Sequence, residues 1–306
     1  MKMAFHITRT IGAFVLLATA AMPAFAQNNP LATDEPARSD SSRIIVGSAD
    51  FPESQLLATI YVKALAAKGI ASDTRLSIGS REVYMPALQD GSIDLLPEYT
   101  GATLSYLDKN ATAHAPEDVA AALKAVLPKG ISMLTPSHAQ NSDILAVTKA
   151  TAEKYKLKTI EDLKPYAGEL VLGAPPEWKT RKEGVVGLRD VYGLEFKSFK
   201  ALDVGGPLTL TALVNGQVQA ADMFSTDPAI LTSGLVALED TKNLFPAQNI
   251  VPIIASQKAT DDIVKVLDAV SAALTNEDLI RMNGRLASQE SYDAVASDWL
   301  KEKQLN

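Results

Sequence analysis

Gly91-Ser-Ile-Asp-Leu-Leu-Pro-Glu-Tyr-Thr-Gly101 decides the reading of this 306-residue chain. Ile93 to Leu96 make a short buried strand that runs into Pro97, and Glu98-Tyr99-Thr100-Gly101 then opens a helix. A helix starting at a strand's C-terminal end offers bare backbone N–H groups. Here it also offers an aromatic ring and a hydroxyl, at the place where open α/β sheets bind ligands.

Upstream, Ile44-Ile-Val46 reads as a first strand. Pro52 and Glu53 then suit a helix's first turn. Leu56, Ile60 and Ala64, with Leu57, Tyr61 and Leu65, recur at four-residue spacing as one apolar face, and Gly69 closes the helix. Asp73 to Ile78 alternates as a strand, Ser80 starts a helix to about Gln89, and Asp90-Gly91 turns into the strand before Tyr99. This β-α-β-α-β order predicts a mainly parallel sheet flanked by helices. Helices follow at 117–127, 149–155, 159–164, 182–192 and 207–215, with strands at Ile131 to Leu134, Ile144 to Val147, Glu169 to Leu172 and Val218 to Met223. Ile250-Val-Pro-Ile-Ile254 is a return strand, and helices at 258–273, 276–287 and 290–301 pack back on the first unit. The expected division is 43–140 plus 253–306 as lobe 1 and 141–252 as lobe 2, with a cleft between them.

The N-terminus reads as an address. Lys2 and Arg9 precede an apolar run from Ile11 to Met22, and Ala24-Phe25-Ala26 has the small-x-small cleavage form. Residues 1–26 are expected to leave as a signal peptide, followed by a flexible leader at 27–42. The run is short for a membrane span. The absence of Cys excludes both disulfides and a lipidated N-terminal Cys. A periplasmic, monomeric product without stable membrane insertion is the expectation. The chain's net charge is −7, and about −9 once Lys2 and Arg9 are removed. With no basic stripe, nucleic acid is a poor partner.

Catalytic chemistry is sparse. His6 leaves with the signal, and His114 and His138 lie in loops without metal-ligand spacing. There is no phosphate-binding loop and no nucleophile elbow. The expectation is a binder with no cofactor, no metal and no catalytic residue. An exported hydrolase built on His114 or His138 is the less favoured alternative.

Four segments resemble the quaternary-amine (glycine betaine/choline) substrate-binding proteins of ABC importers: Val46-Gly-Ser-Ala-Asp-Phe-Pro-Glu53, Ile78-Gly-Ser-Arg-Glu-Val83, Ile93-Asp-Leu-Leu-Pro-Glu-Tyr-Thr-Gly101 and Phe224-Ser-Thr-Asp227. The likeness spans nearly all of 43–300. It implies a two-lobed, type II-like periplasmic-binding-protein fold that delivers a small quaternary-ammonium or zwitterionic osmolyte to a permease. A different amine or amino acid derivative on the same fold is the alternative. It also implies a box of rings, because a quaternary ammonium donates no ordinary hydrogen bond and is held by cation–π contact, about 0.5–2 kcal/mol per ring.

On that resemblance Tyr99 matches a cage tyrosine, and Phe224 stands where a Tyr is common. Asp143 stands near a frequent aromatic, and Arg81 replaces a smaller residue. Each has a plainer alternative: a core ring for Tyr99 and Phe224, a turn cap for Asp143, a solvated cation for Arg81. Phe51 and Trp178 are further candidate walls. Ser48, Asp50, Ser80, Thr100 and Asn141 are candidate polar contacts, with Asp50 alternatively a helix cap. Ser225, Thr226 and Asp227 are hinge or donor groups. Gly206, after Gly205, offers N–H groups to an anion, or makes only a tight turn.

Overall fold

The computed structural model describes residues 43–306; the expected signal peptide and leader lie outside the described residues. The first lobe begins with β1 (Ile44–Gly47), α1 (Pro52–Ala67), β2 (Ser72–Arg75), α2 (Arg81–Gln89), β3 (Leu95–Tyr99), α3 (Thr100–Leu107), α4 (Pro116–Val126) and β4 (Ile131–Met133). The apolar face of α1 is buried as its spacing requires. Leu56, Leu57, Ile60, Tyr61, Ala64 and Leu65 share one core with Ile44, Leu95, Leu267 and Trp299. Each such aliphatic side chain contributes about 1.5–3 kcal/mol by leaving water.

The chain then crosses to a second lobe: β5 (Asp143–Thr148), α5 (Lys149–Tyr155), β6 (Val171–Ala174), α6 (Gly187–Tyr192), β7 (Ser198–Ala201), α7 (Pro207–Val214), β8 (Ala220–Phe224), α8 (Ala229–Thr232) and β9 (Leu235–Ala237). It returns through β10 (Ile250–Ala255), followed by α9 (Asp261–Ala273), α10 (Asn276–Ala287) and α11 (Tyr292–Glu302). The helix expected at 159–164 is a single 3-10 turn, Ile160–Leu163, and β7, α8 and β9 were not foreseen.

Each sheet has five strands, ordered β2-β1-β3-β10-β4 and β7-β6-β8-β5-β9. Both are mixed rather than mainly parallel. β1 runs parallel to β2 and β3, and β6 runs parallel to β7 and β8. The newcomers β10 and β5 run antiparallel to their neighbours. The reason is where each newcomer enters. β10 starts at Ile250 opposite Tyr99, the last residue of β3, so it can only run back down the sheet. It joins this sheet along its whole length, three residues ahead of the boundary expected at 253. The two crossovers lie side by side. Gln140 bridges Asn249, the Asn141 N–H donates to the Gln248 carbonyl at 3.1 Å, and the Ile250 N–H donates to that of Ala139 at 3.1 Å.

Pro97 does not end its strand; β3 runs on through Pro97, Glu98 and Tyr99. Pro97 faces Pro252. The Thr100 N–H donates to the Asn249 carbonyl at 3.0 Å, which marks that pair as hydrogen-bonded. Counting back by the alternation of an antiparallel ladder, 97 and 252 occupy a pair that exchanges no hydrogen bonds, so neither proline removes one between β3 and β10. On its other side the Pro252 carbonyl accepts from the Leu134 N–H, with no N–H to return.

Candidate functional site

A cleft of about 60 Å³ lies between the lobes. That small volume suits a compact solute. The C-terminal ends of β1 and β3 and the start of α2 supply its first wall, with Asp50, Phe51, Ser80, Arg81, Tyr84 and Tyr99. The crossovers supply Asn141 and Gln248. The second lobe supplies Asp143, Glu177, Trp178, Arg181, Glu183, Asp222 and Phe224.

Rings from both lobes meet directly. Phe51 sits 5.9 Å from Tyr99 and 5.4 Å from Phe224 between ring centroids, tilted by 35° and 31°. Tyr99 is buried with its hydroxyl donating to Glu53 Oε1 at 2.8 Å, which fixes the ring's attitude. Gly205 supports Phe224 from behind. Its φ is +61°, and a Cβ there would lie 2.8 Å from the ring.

The buried pair of the first lobe, Arg81 and Glu98, is internally satisfied. Arg81 is buried and forks onto Glu98, with Nε to Oε1 and Nη2 to Oε2 both at 2.9 Å. It is therefore neither a solvated cation nor a free anion clamp. Burial alone would raise the Glu98 carboxyl. The Arg81 charge and hydrogen bonds from Arg81, Tyr84 and the Tyr99 N–H outweigh it and hold the group below the usual range. Arg181, from the second lobe, reaches across to Glu82 of α2, Nε to Oε1 at 3.1 Å and Nη2 to Oε2 at 2.9 Å.

The second-lobe carboxylates are different. Burial and then the nearby Glu183 charge push Asp143 up to about 6, against the pull of Arg181 and Arg81 and a hydrogen bond from Gln248 Nε2 at 3.2 Å. Burial and then the Asp143 charge push Asp222 well above the usual carboxylate range. Neither oxygen of Asp222 has a protein partner, nor has Glu183 Oε2. Glu183 is turned inward at a π-helical turn, Lys182–Val186, kinked at Gly184. A Cβ on Gly184 would stand 2.0 Å from the Trp178 carbonyl oxygen, so only glycine fits there. This kink also divides the helix expected over 182–192.

Of the residues expected at the site, Asp50, Phe51, Ser80, Arg81, Tyr99, Asn141, Asp143, Trp178 and Phe224 line the cleft. The others are placed elsewhere. Ser48 is buried, donating to the Ala49 carbonyl and accepting from the Ser77 N–H. Thr100 and Ser225 brace the crossovers, through Ala247 and Asn249 and through the Ser142 N–H. Thr226 donates to Glu53, and Asp227 caps the Ala229 N–H. Gly206 is no anion cradle, because the Asp203 carboxylate already takes the Leu208 and Thr209 N–H groups. Asp50 does not cap α1, whose N-cap position is Phe51, with no side-chain cap. His114 and His138 are exposed and off the cleft.

Sequence reasoning passed over Glu53, Tyr84, Glu98, Glu177, Arg181, Glu183, Asp222 and Gln248. Asp222 did carry a signal: it is the lone charge in the buried run Ala220-Ala-Asp-Met-Phe224.

Paired sheets, twin crossovers and a ring-walled cleft define a two-lobed solute-binding protein. The chain belongs to the family of substrate-binding domains of ABC-type glycine betaine transport systems, which it matches over residues 42–302. It is 28% identical over 279 residues to the glycine betaine-binding protein YehZ of Escherichia coli K12, covering 86% of this chain and 91% of that one. It is 28% identical over 257 residues to the carnitine transport binding protein OpuCC of Listeria monocytogenes, covering 82% and 80%. A crystal structure of a glycine betaine/carnitine/choline ABC transporter superposes with a TM-score of 0.68 at 22% identity, over 86% of this chain and 99% of that chain, a likeness of fold.

Proposed function

We propose that the protein captures a small organic ammonium solute, cationic or zwitterionic, of which glycine betaine and choline are the reference members. It hands that solute to the permease of its importer. The observation that carries this is the composition of one cleft: rings from both lobes, and four acidic side chains (Asp50, Asp143, Glu183, Asp222) outside the ion pairs that Arg81 makes with Glu98 and Arg181 makes with Glu82 and Glu177. Such a cleft attracts a compact positive head. Phe51, Tyr99 and Phe224 form the ring wall, and Asp143 and Asn141 supply polar contacts.

The lobes close about the crossovers near 140–142 and 246–249. Closure is driven by contacts that only the ligand-bound form makes. The chain acts as a periplasmic monomer, released after Ala26. Among the described residues no helix is long and apolar enough to cross a membrane.

Isothermal titration with glycine betaine and choline tests the reading, repeated on Tyr99→Ala. Binding that weakens about tenfold in the variant, 1.4 kcal/mol, supports it. Absence of heat from every ammonium solute tried overturns it.

A further inference from the structure

We propose that the ligand's positive nitrogen carries N–H groups and donates them to Asp222 and Glu183 on the second-lobe side of the cleft. The preferred solute is then a primary, secondary or tertiary ammonium, or a guanidinium, rather than a fully alkylated one. This narrows the proposed function and rests on it.

Asp222 is 1% exposed and Glu183 is 4% exposed, and both line the cleft. Three of their four carboxylate oxygens have no protein donor. Buried polar groups are mostly satisfied. Among the described residues the other buried side-chain atoms without a partner, Asn249 Oδ1, Asn283 Oδ1, Ser271 Oγ and Trp299 Nε1, are uncharged and off the cleft. The other buried acids nearby are fully bonded. Glu53 takes hydrogen bonds from Tyr99, Asn141, Thr226 and Asn283, and Glu98 takes them from Arg81 and the Tyr99 N–H. The cations in reach are committed elsewhere, Arg81 to Glu98 and Arg181 to Glu82. In the closed, water-excluding form the missing donors arrive with the ligand.

A metal ion does not answer. Among the described residues no group of three or more His, Cys, Asp or Glu side chains could hold one. A fully alkylated nitrogen does not answer either, since it has no N–H to give.

Register places the acceptors beside the rings. Asp222 lies two residues before Phe224 on β8, so both side chains leave the same face of the strand. Asp143 is Phe224's cross-strand partner on β5. A nitrogen whose carbon substituents lie against Phe224 and Phe51 thus has carboxylates on its far side. Glu183 completes that side by virtue of the Gly184 kink.

Matched pairs decide the matter by isothermal titration: glycine betaine against N,N-dimethylglycine and sarcosine, choline against N,N-dimethylethanolamine, with guanidinoacetate added. The N–H member of each pair should bind about tenfold tighter or more. Asp222→Asn and Glu183→Gln should each shrink that preference to about threefold or less. If Asp222→Asn fails to fold, Glu183→Gln decides. Equal or tighter binding of the fully methylated members, or a preference unchanged in the variants, overturns this inference while leaving ammonium capture standing. Silence across the whole panel overturns both.

Discussion

Glu53 Oε2 accepts a hydrogen bond from Thr226 Oγ1 at 2.7 Å, joining the first turn of α1 to the segment that leaves β8 in the other lobe. The same carboxylate takes the Tyr99 hydroxyl and Asn141 Nδ2 at 2.8 Å each, and Asn283 Nδ2 of α10 at 2.6 Å. One buried acid thus gathers a ring of the cleft, a crossover, the second lobe and a C-terminal helix. Glu53→Ala strands four donors and should lower unfolding stability by about 3 kcal/mol, read from the urea midpoint. Thr226→Val removes one link and should cost about 1 kcal/mol.

The Arg181–Glu82 pair is a clasp at the rim of the same closure. Burial would raise the Glu82 carboxyl, but hydrogen bonds from Arg181 and Ser80 outweigh it and hold the group at about 2. Its side chain is 44% exposed, so the pair is worth about 0.5–1 kcal/mol and is screened by salt. A depressed carboxylate contributes fully above its unfolded value near 4.5 and loses that contribution as pH falls toward 2. Small-angle scattering should show the closed form thinning over that window. Glu82→Gln should shift the balance toward the open form about twofold to fivefold at neutral pH and reduce the salt dependence of ligand affinity.

Ligand affinity should also follow the ionisation of Asp143, which faces Glu183, Asp222, Arg181, Arg81 and Gln248. A cation binds the ionised form, so affinity should rise about threefold to tenfold from pH 5 to 7, with proton release on binding. Titrations in buffers of different ionisation enthalpy measure this. The unliganded protein behaves in the opposite sense. A carboxylate raised to about 6 stabilises the fold below its unfolded value near 3.8, and that contribution is lost as pH rises through 6. Asp143→Asn should raise neutral-pH stability of the empty protein by about 1–2 kcal/mol and flatten both profiles.

Gly205→Ala tests the support behind Phe224. The position has a left-handed φ, and the added methyl meets the ring. The variant should lose about 1 kcal/mol or more of stability and weaken ammonium binding by displacing Phe224, while the milder Phe224→Tyr keeps the ring in place and retains binding.

The strand and helix succession of the first lobe was readable because periodicity, Pro52 and Gly69 all point the same way. The return strand at Ile250 was readable as an uninterrupted apolar run. Its direction was not, because antiparallel entry depends on where the crossover delivers the chain. The rings of the cleft were legible from the strand-end positions of Phe51, Tyr99 and Phe224. The charges were not. Glu53 looks like an ordinary first-turn acid, and only the fold reveals four donors around it. Glu183 looks like a surface helix residue until the Gly184 kink turns it inward. The anion cradle expected at Gly206 failed for a local reason: Asp203, three residues earlier, already fills it.

The unmet oxygens of Asp222 and Glu183 bear on departure as much as on capture. Solvent and solute compete for the same acceptors, and a sealed chamber gives the solute the advantage. On the ligand geometry proposed above, parting of the halves at the permease lets bulk water hydrate those acids and compete with their guest. Eviction then needs no separate push, because the wedge that opens the chamber also loosens the grip.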